Sequence, residues 1–186
     1  LKMSKNLTFS NGDPNSTSGF LVPSYYVFSK KKVDPKTMFK AVRAANHEAN
    51  ALAVANKQID VATNNSETLG RIKDRMPEKA SNIKVIWTSP LIPSDPMVIR
   101  SDLDPAVKAK IKDFFHSYGS DDKEKATLMQ LQKITGFKVS SNDQLKPIRQ
   151  LELFKARNKL EADTTMGAAE KTAKLADTDK QLAVLN

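Results

Sequence analysis

Over the first 95 residues of this 186-residue chain, strand-like and helix-like segments alternate, and that order restricts the folds open to it. Residues 6 to 10, Asn-Leu-Thr-Phe-Ser, alternate polar and apolar side chains and predict a short strand. Asn11-Gly12-Asp13-Pro14-Asn15 is a dense turn cluster. Ser16-Thr17-Ser18-Gly19 then leads into an apolar run from Phe20 to Phe28, which predicts a helix with Ser and Thr at its N-cap positions. Lys30-Lys31-Lys32 places cations at the negative end of that helix. Asp34-Pro35 combines an N-cap with proline at the first helical position and predicts a helix running toward Ala45. Asn46 caps the next helix, His47 to Lys57. Ile59 to Thr63 reads as a strand, residues 68 to 80 as helical up to the interruption at Pro77, and Ile83 to Thr88 as the most strand-like run of all. Strands joined by helices imply a parallel sheet whose ligand sites lie beyond the strand C-termini.

The pattern changes near residue 96. Pro90, Pro93 and Pro96 bracket an extended crossing segment from Pro90 to Arg100, and helices dominate after it. Asp104-Pro105 opens one with Val107, Ile111, Phe114, Phe115 and Tyr118 on one face. Asp121 with Glu124 forms a capping box before Leu128, Leu131 and Ile134. After Gly136, one helix passes through Leu151 and Phe154, and a last one spans about residues 167 to 185. The expected organisation is a lobe at 5–95 and a mostly helical return segment at 96–186.

Several chemistries are excluded. The chain has no cysteine, so disulfides, thiolate zinc sites and cysteine nucleophiles are absent. His47-Glu48-Ala49-Asn50-Ala51 begins like a zincin helix but has alanine where the second histidine must stand, and there are only two histidines in all. No metal site and no cofactor are expected. None of the six glycines builds a GxGxxG or a P-loop, and no GxSxG elbow occurs. No apolar run approaches the roughly 18 residues of a membrane helix. The net charge of +9 favours anionic partners. Aromatic residues are only 6% and no basic strip interleaves with them, so nucleic acid is not the expected partner.

The turn Ser16-Thr17-Ser18 sets consecutive hydroxyls beside unpaired backbone N–H groups at a helix start, which favours a tetrahedral oxyanion; an ordinary N-cap uses the same residues. His47, in the first turn of the next helix, can donate to an anion or be a plain surface histidine. His116 reads as solvent-facing. Glu67 follows a predicted strand and Asp95 is held between Pro93 and Pro96; each is either a solvated carboxylate or half of a cation-binding pair. An oxyanion site together with two carboxylates suits a small zwitterion.

From Leu7-Thr8-Phe9-Ser10 through Gly19–Phe28, the sequence strongly resembles the phosphonate-binding proteins of ABC importers. The likeness continues in His47–Lys57, Val61-Ala62-Thr63, Val85–Pro93 with Asp95-Pro96, and Pro147–Leu151, and covers about residues 6 to 155. The resemblance implies an α/β, two-lobed periplasmic-binding-protein-like fold (type II), with mixed, mostly parallel sheets flanked by helices. It implies a non-enzymatic, periplasmic solute-binding component, with no catalytic residues, that passes a phosphonate such as 2-aminoethylphosphonate to a membrane permease. Phosphate, phosphite or another small oxyanion is the alternative ligand, and an enzyme acting on phosphoryl compounds is a more distant one. By the family pattern Ser16, Thr17, Ser18 and His47 hold the phosphonate, and Glu67 and Asp95 hold the amine. The family carries this turn well inside its mature chain. The expectation is therefore that a signal peptide and part of one lobe precede residue 1, with a helical C-terminal segment left exposing apolar faces.

Overall fold

The computed structural model describes residues 4–185. At its centre is β1 (Thr8–Asn11), the middle strand of a three-stranded parallel sheet. β2 (Ala41–Ala44) lies on one side, with Phe9 opposite Val42 and Asn11 opposite Ala44. β3 (Val61–Ala62) lies on the other, with Phe9 opposite Val61 and Ser10 opposite Ala62. Being central, β1 is buried on both faces. Phe9 faces an aromatic layer, stacked on Phe39 at 4.8 Å between ring centroids and edge-on to Phe28 at 5.5 Å. Burial of such a ring contributes about 1.5–3 kcal/mol. Ser10 faces the other way, toward α2 (His47–Ala55), and donates to the Asn50 carbonyl oxygen at 2.5 Å. Ala51, Ala53 and Ala55 are all buried, and their small side chains let α2 lie close to the sheet.

The segment after β1 is helical but not regular. Its first turns, Thr17–Leu21 and Ser24–Phe28, are π-helical, and Ser29–Lys31 closes as a 3-10 turn before Lys32, which is left-handed at φ 52°. The cause sits at Pro23. Proline has no N–H for the carbonyl four residues back, and its ring crowds that carbonyl, so the helix widens. The Leu21 N–H accordingly donates to Ser16 O, five residues back, at 3.0 Å, and the Val22 N–H to Thr17 O.

Two local expectations are corrected. Asp34 does cap a helix, accepting from the Lys36 N–H at 2.8 Å, but α1 spans only Pro35–Met38. The chain then extends, and residues 41–44, expected in the helix that Asp34-Pro35 starts toward Ala45, pair with β1 instead. The Lys40 N–H donates to Leu7 O at 2.9 Å and starts the ladder, so tertiary pairing overrides local propensity. Ile83–Thr88, the most strand-like run, forms no regular element and belongs to no ladder among the described residues. Val85 and Ile86 are 59% and 73% exposed. β-propensity favours an extended backbone, whereas a strand also needs a neighbour for its N–H and C=O groups. The helix expected over 68–80 is present as α3 (Ser66–Arg75) and α4 (Pro77–Ala80), parted at Pro77.

The chain forms two compact units. One comprises the residues up to Ile92 together with those from Leu145 onward; the other is Pro93–Gln144. Within the second unit, α5 (Pro105–Ser117) is capped by Asp104 and α6 (Asp122–Gln132) by Asp121. Glu124 supplies the other half of the cap, accepting from the N–H groups of Gly119 and Ser120 rather than that of Asp121. Gly119 is left-handed there at φ +101°, which requires glycine. Phe115 packs edge-on against Phe137, while Phe114 and Leu131 are largely exposed.

The segment 96–186, read as one piece, is divided in the structure. α7 (Lys146–Ala162) and α8 (Ala168–Leu185) belong to the first unit. The reason is apolar packing: Leu151 of α7 is buried with Leu21 and Val22, and Phe154 lies 5.2 Å from the Tyr25 ring. Arg157 ties the two helices together, pairing with Glu161 and with Asp179 at 2.7 Å.

Asn50 gives the sharpest test of this architecture. It is wholly buried, and its amide donates toward Asn11 O, Ala45 O and Thr63 O. Asn50→Ala takes this partner from Ala45 O, Thr63 O and the Ser10 hydroxyl, while Asn11 O keeps the Ala45 N–H, and should cost about 3 kcal/mol of unfolding free energy in urea titration. Asn46→Ala removes only the α2 cap and should cost about 1 kcal/mol. Equal losses would show that the Asn50 network does not hold the strand ends.

Candidate functional site

Beyond the C-terminal ends of the three strands, three connections converge: the turn after β1, the start of α2 after β2, and the start of α3 after β3. In the first, the Ser16 side chain is the N-cap, accepting from the Gly19 N–H at 3.0 Å. That leaves the next two amides. Among the described residues the backbone N–H groups of Thr17 and Ser18 donate to nothing, and they lie at the positive end of the helix. The turn is tight because Gly12 and Gly19 touch backbone to backbone; a Cβ at Gly12 would stand 2.6 Å from the Gly19 Cα.

The second connection brings His47 to this turn. Asn46 caps α2 by accepting from the Ala49 N–H at 2.8 Å, which makes His47 the first residue of the helix. Its Nε2 lies 3.1 Å from Ser18 Oγ, either atom donating according to the tautomer. Its Nδ1 is buried with no hydrogen-bond partner among the described residues. The ring lies against Gly19, where a Cβ would come within 2.9 Å of His47 Cε1, so this glycine is needed for close approach.

The third connection fixes α2 to α3. Asn64 Nδ2 donates to His47 O at 2.7 Å, and Asn65 caps α3 by accepting from the Thr68 N–H at 2.8 Å. Glu67 and Arg71 stand one turn apart on α3, with Glu67 exposed and Arg71 donating to Thr68 Oγ1 at 3.0 Å. Both act on His47. Burial pushes its pKa below the ordinary histidine value, the Glu67 carboxylate pulls it up, and the Arg71 guanidinium pushes it down again.

Of the six residues singled out from the sequence, Ser18 and His47 are in contact, Ser16 caps the same turn, Thr17 lies between Ser16 and Ser18 in it, and Glu67 is within electrostatic reach of the histidine. Asp95 is exposed at the start of the second unit, outside any helix or strand. Sequence reading missed Asn50, Thr63 and Asn64, buried or half-buried polar residues that fasten the three connections together. One signal was available: Asn50 lies on the same helix as Ala51, Ala53 and Ala55, and an amide on a face that packs against a sheet needs internal partners. No group of three or more His, Asp or Glu residues that could hold a metal occurs among the described residues.

Comparison with known proteins shows the family and the fold of the chain. The family of periplasmic substrate-binding proteins of phosphonate ABC transporters matches residues 1–145. The chain is 52% identical over 178 residues to the phosphonates-binding periplasmic protein of Escherichia coli, covering 96% of this chain and 52% of that protein. It is 31% identical over 107 residues to a Prochlorococcus marinus protein named "Probable ABC transporter phosphite binding protein", covering 56% of this chain and 35% of the other. A solved binding protein component of an ABC phosphonate transporter from Pseudomonas aeruginosa superposes with a TM-score of 0.88 at 54% identity, over 100% of this chain and 61% of that one. That likeness bears out the expected periplasmic-binding-protein fold. The match spans about half the length of the Escherichia coli protein and about a third of the Prochlorococcus one.

The lowered histidine pKa has a measurable consequence. The fold favours neutral His47, so as pH falls through the ordinary histidine value the unfolded chain takes up a proton that the folded chain resists. Stability should therefore decline between about pH 7 and pH 5 and level off below the native value. His47→Gln should remove that part of the slope, and NMR titration of the wild-type ring should place its pKa below the ordinary histidine value. An ordinary or raised value for His47 would contradict the burial described here.

Proposed function

The chain belongs to the periplasmic substrate-binding proteins of phosphonate ABC transporters, and from that premise we propose that it captures a phosphonate and delivers it to a membrane permease. Its relatives are binding components, not enzymes. The observation that carries the proposal is the junction of the Ser16–Ser18 turn with His47. Two free backbone N–H groups, those of Thr17 and Ser18, lie at a helix start whose Ser18 hydroxyl meets the His47 imidazole. A phosphonate dianion there takes hydrogen bonds from Thr17, Ser18 and the imidazolium, each charge-assisted bond contributing about 1.5–3 kcal/mol.

A bound dianion favours the protonated histidine and so raises a pKa that burial has lowered. Glu67 accepts from an ammonium group on the ligand, and by the family pattern Asp95 is the second carboxylate that reads it. Two carboxylates facing a closed pocket repel each other unless a cation joins them, which favours 2-aminoethylphosphonate over an alkylphosphonate. A second reading, a small inorganic oxyanion, is favoured by the relative named for phosphite. It uses the same turn and leaves Glu67 idle.

Calorimetry with 2-aminoethylphosphonate, ethylphosphonate, phosphite and phosphate separates these readings. Thr17→Val should weaken phosphonate binding about ten- to a hundredfold. It is a cleaner probe than Ser16→Ala, which also removes the cap on Gly19. Unchanged affinity would remove the turn from the site.

The amine reading predicts that the aminated ligand binds more tightly than ethylphosphonate by at least about 2 kcal/mol. Glu67→Gln with Asp95→Asn should shrink that gap by weakening the aminated ligand. Equal losses for both ligands would mean that the carboxylates do not read the amine, and tighter binding of phosphite than of either would favour the inorganic reading.

A further inference from the structure

The Gly19 carbonyl lies inside the turn that must keep its shape if Thr17 and Ser18 are to present their N–H groups. In a regular helix it would accept from the N–H four residues on, but that residue is Pro23, which has none. The carbonyl is satisfied from outside the helix instead. The Gly12 N–H donates to it at 2.9 Å and the Thr63 hydroxyl at 2.6 Å. Gly12 is a divided donor, because its N–H is also 3.2 Å from Asn11 Oδ1. Thr63, by contrast, is held at every polar group. Its N–H donates to Ser10 O at 3.0 Å and its carbonyl accepts from Asn50 Nδ2 at 3.4 Å.

We infer that Thr63 is a positioning residue for the oxyanion site, its hydroxyl standing in for the N–H that Pro23 lacks and setting the Ser16–Ser18 turn against His47. The inference rests on the oxyanion reading of that turn. The clearance involved is small: a Cβ on Gly19 would lie 2.9 Å both from His47 Cε1 and from Ser16 Oγ. A shift of Gly19 by a fraction of an ångström therefore alters the packing of the ring and the approach of Ser18 to Nε2. Thr63 itself does not touch the anion. It acts through the carbonyl it holds.

The test compares Thr63→Val, which keeps the shape and loses the hydroxyl, with Thr63→Ser, which keeps the hydroxyl, in the full chain. Two readouts are used: NMR titration of the His47 ring without ligand, and calorimetry with 2-aminoethylphosphonate. Thr63→Val should hydrate the ring and move its pKa toward the ordinary histidine value, and should weaken phosphonate binding about tenfold. Thr63→Ser should restore both. Pro23→Ala provides an independent arm, since it returns an N–H to position 23. Thr63→Val made in that background should behave like Pro23→Ala alone, and this comparison serves if Thr63→Val by itself does not fold. A Thr63→Val chain that loses stability but keeps the wild-type His47 titration would overturn the inference. The ring titration needs no ligand, so failure of the wild type to bind phosphonate would count against the proposed function and leave this test intact.

Discussion

One buried amide joins the ends of three strands. Asn50 reaches from α2 into the sheet, and its side-chain N–H groups are shared among the carbonyls of Asn11, Ala45 and Thr63, each just past or at the end of a strand. Its own carbonyl oxygen accepts from Ser10. Parallel strands leave their last carbonyls pointing out of the ladder, and burying these without partners costs about 1–3 kcal/mol each. Asn50 removes that cost and in doing so fixes where the three connections begin. The Ser16 turn, His47 and the start of α3 are all placed relative to that point.

The site itself is built from groups that local structure leaves unused. Pro23 withholds an N–H from Gly19 O, the helix widens into π-turns, and the first amides of Thr17 and Ser18 stay free. His47 is half-buried, with one nitrogen beside Ser18 and the other unpartnered. Burial and Arg71 make the charged imidazole costly in the empty protein, while Glu67 partly offsets them. On the proposed function, an anion at the turn would reverse that balance and couple binding to protonation of one residue, through where the ring is buried and not through the histidine itself.

Much of this was readable before any coordinates. The turn cluster, the Ser16 cap, the Asp34, Asn46, Asp104 and Asp121 caps and the break at Pro77 are local effects, and each appears where the residues put it. Residues 41–44 did not behave locally. Ala41, Ala44 and Ala45 are good helix formers, yet a strand forms because β1 offers them a ladder. Ile83–Thr88 is the opposite case, a run of strong strand formers that finds no ladder. Likewise, α7 and α8 pack with the first unit because Leu151 and Phe154 find Leu21, Val22 and Tyr25, distant contacts that no window of sequence contains.

By itself the sequence determined the capped helix starts, the break at Pro77, the lack of any cysteine in the chain, and the residue types able to hold an oxyanion. These depend on interactions within a few residues, or on composition, and need no knowledge of neighbours. Only the tertiary structure decided that Ser18 and His47, 29 positions apart, come within 3.1 Å, and that Asn50, Thr63 and Asn64 hold them there. It also decided the direction of the His47 pKa, since burial and the nearness of Glu67 and Arg71 exist only in the folded chain. The physical reason is common to all of these. A hydrogen bond or a desolvation cost between residues far apart along the chain depends on distance in space, and that distance is set by strand pairing and core packing.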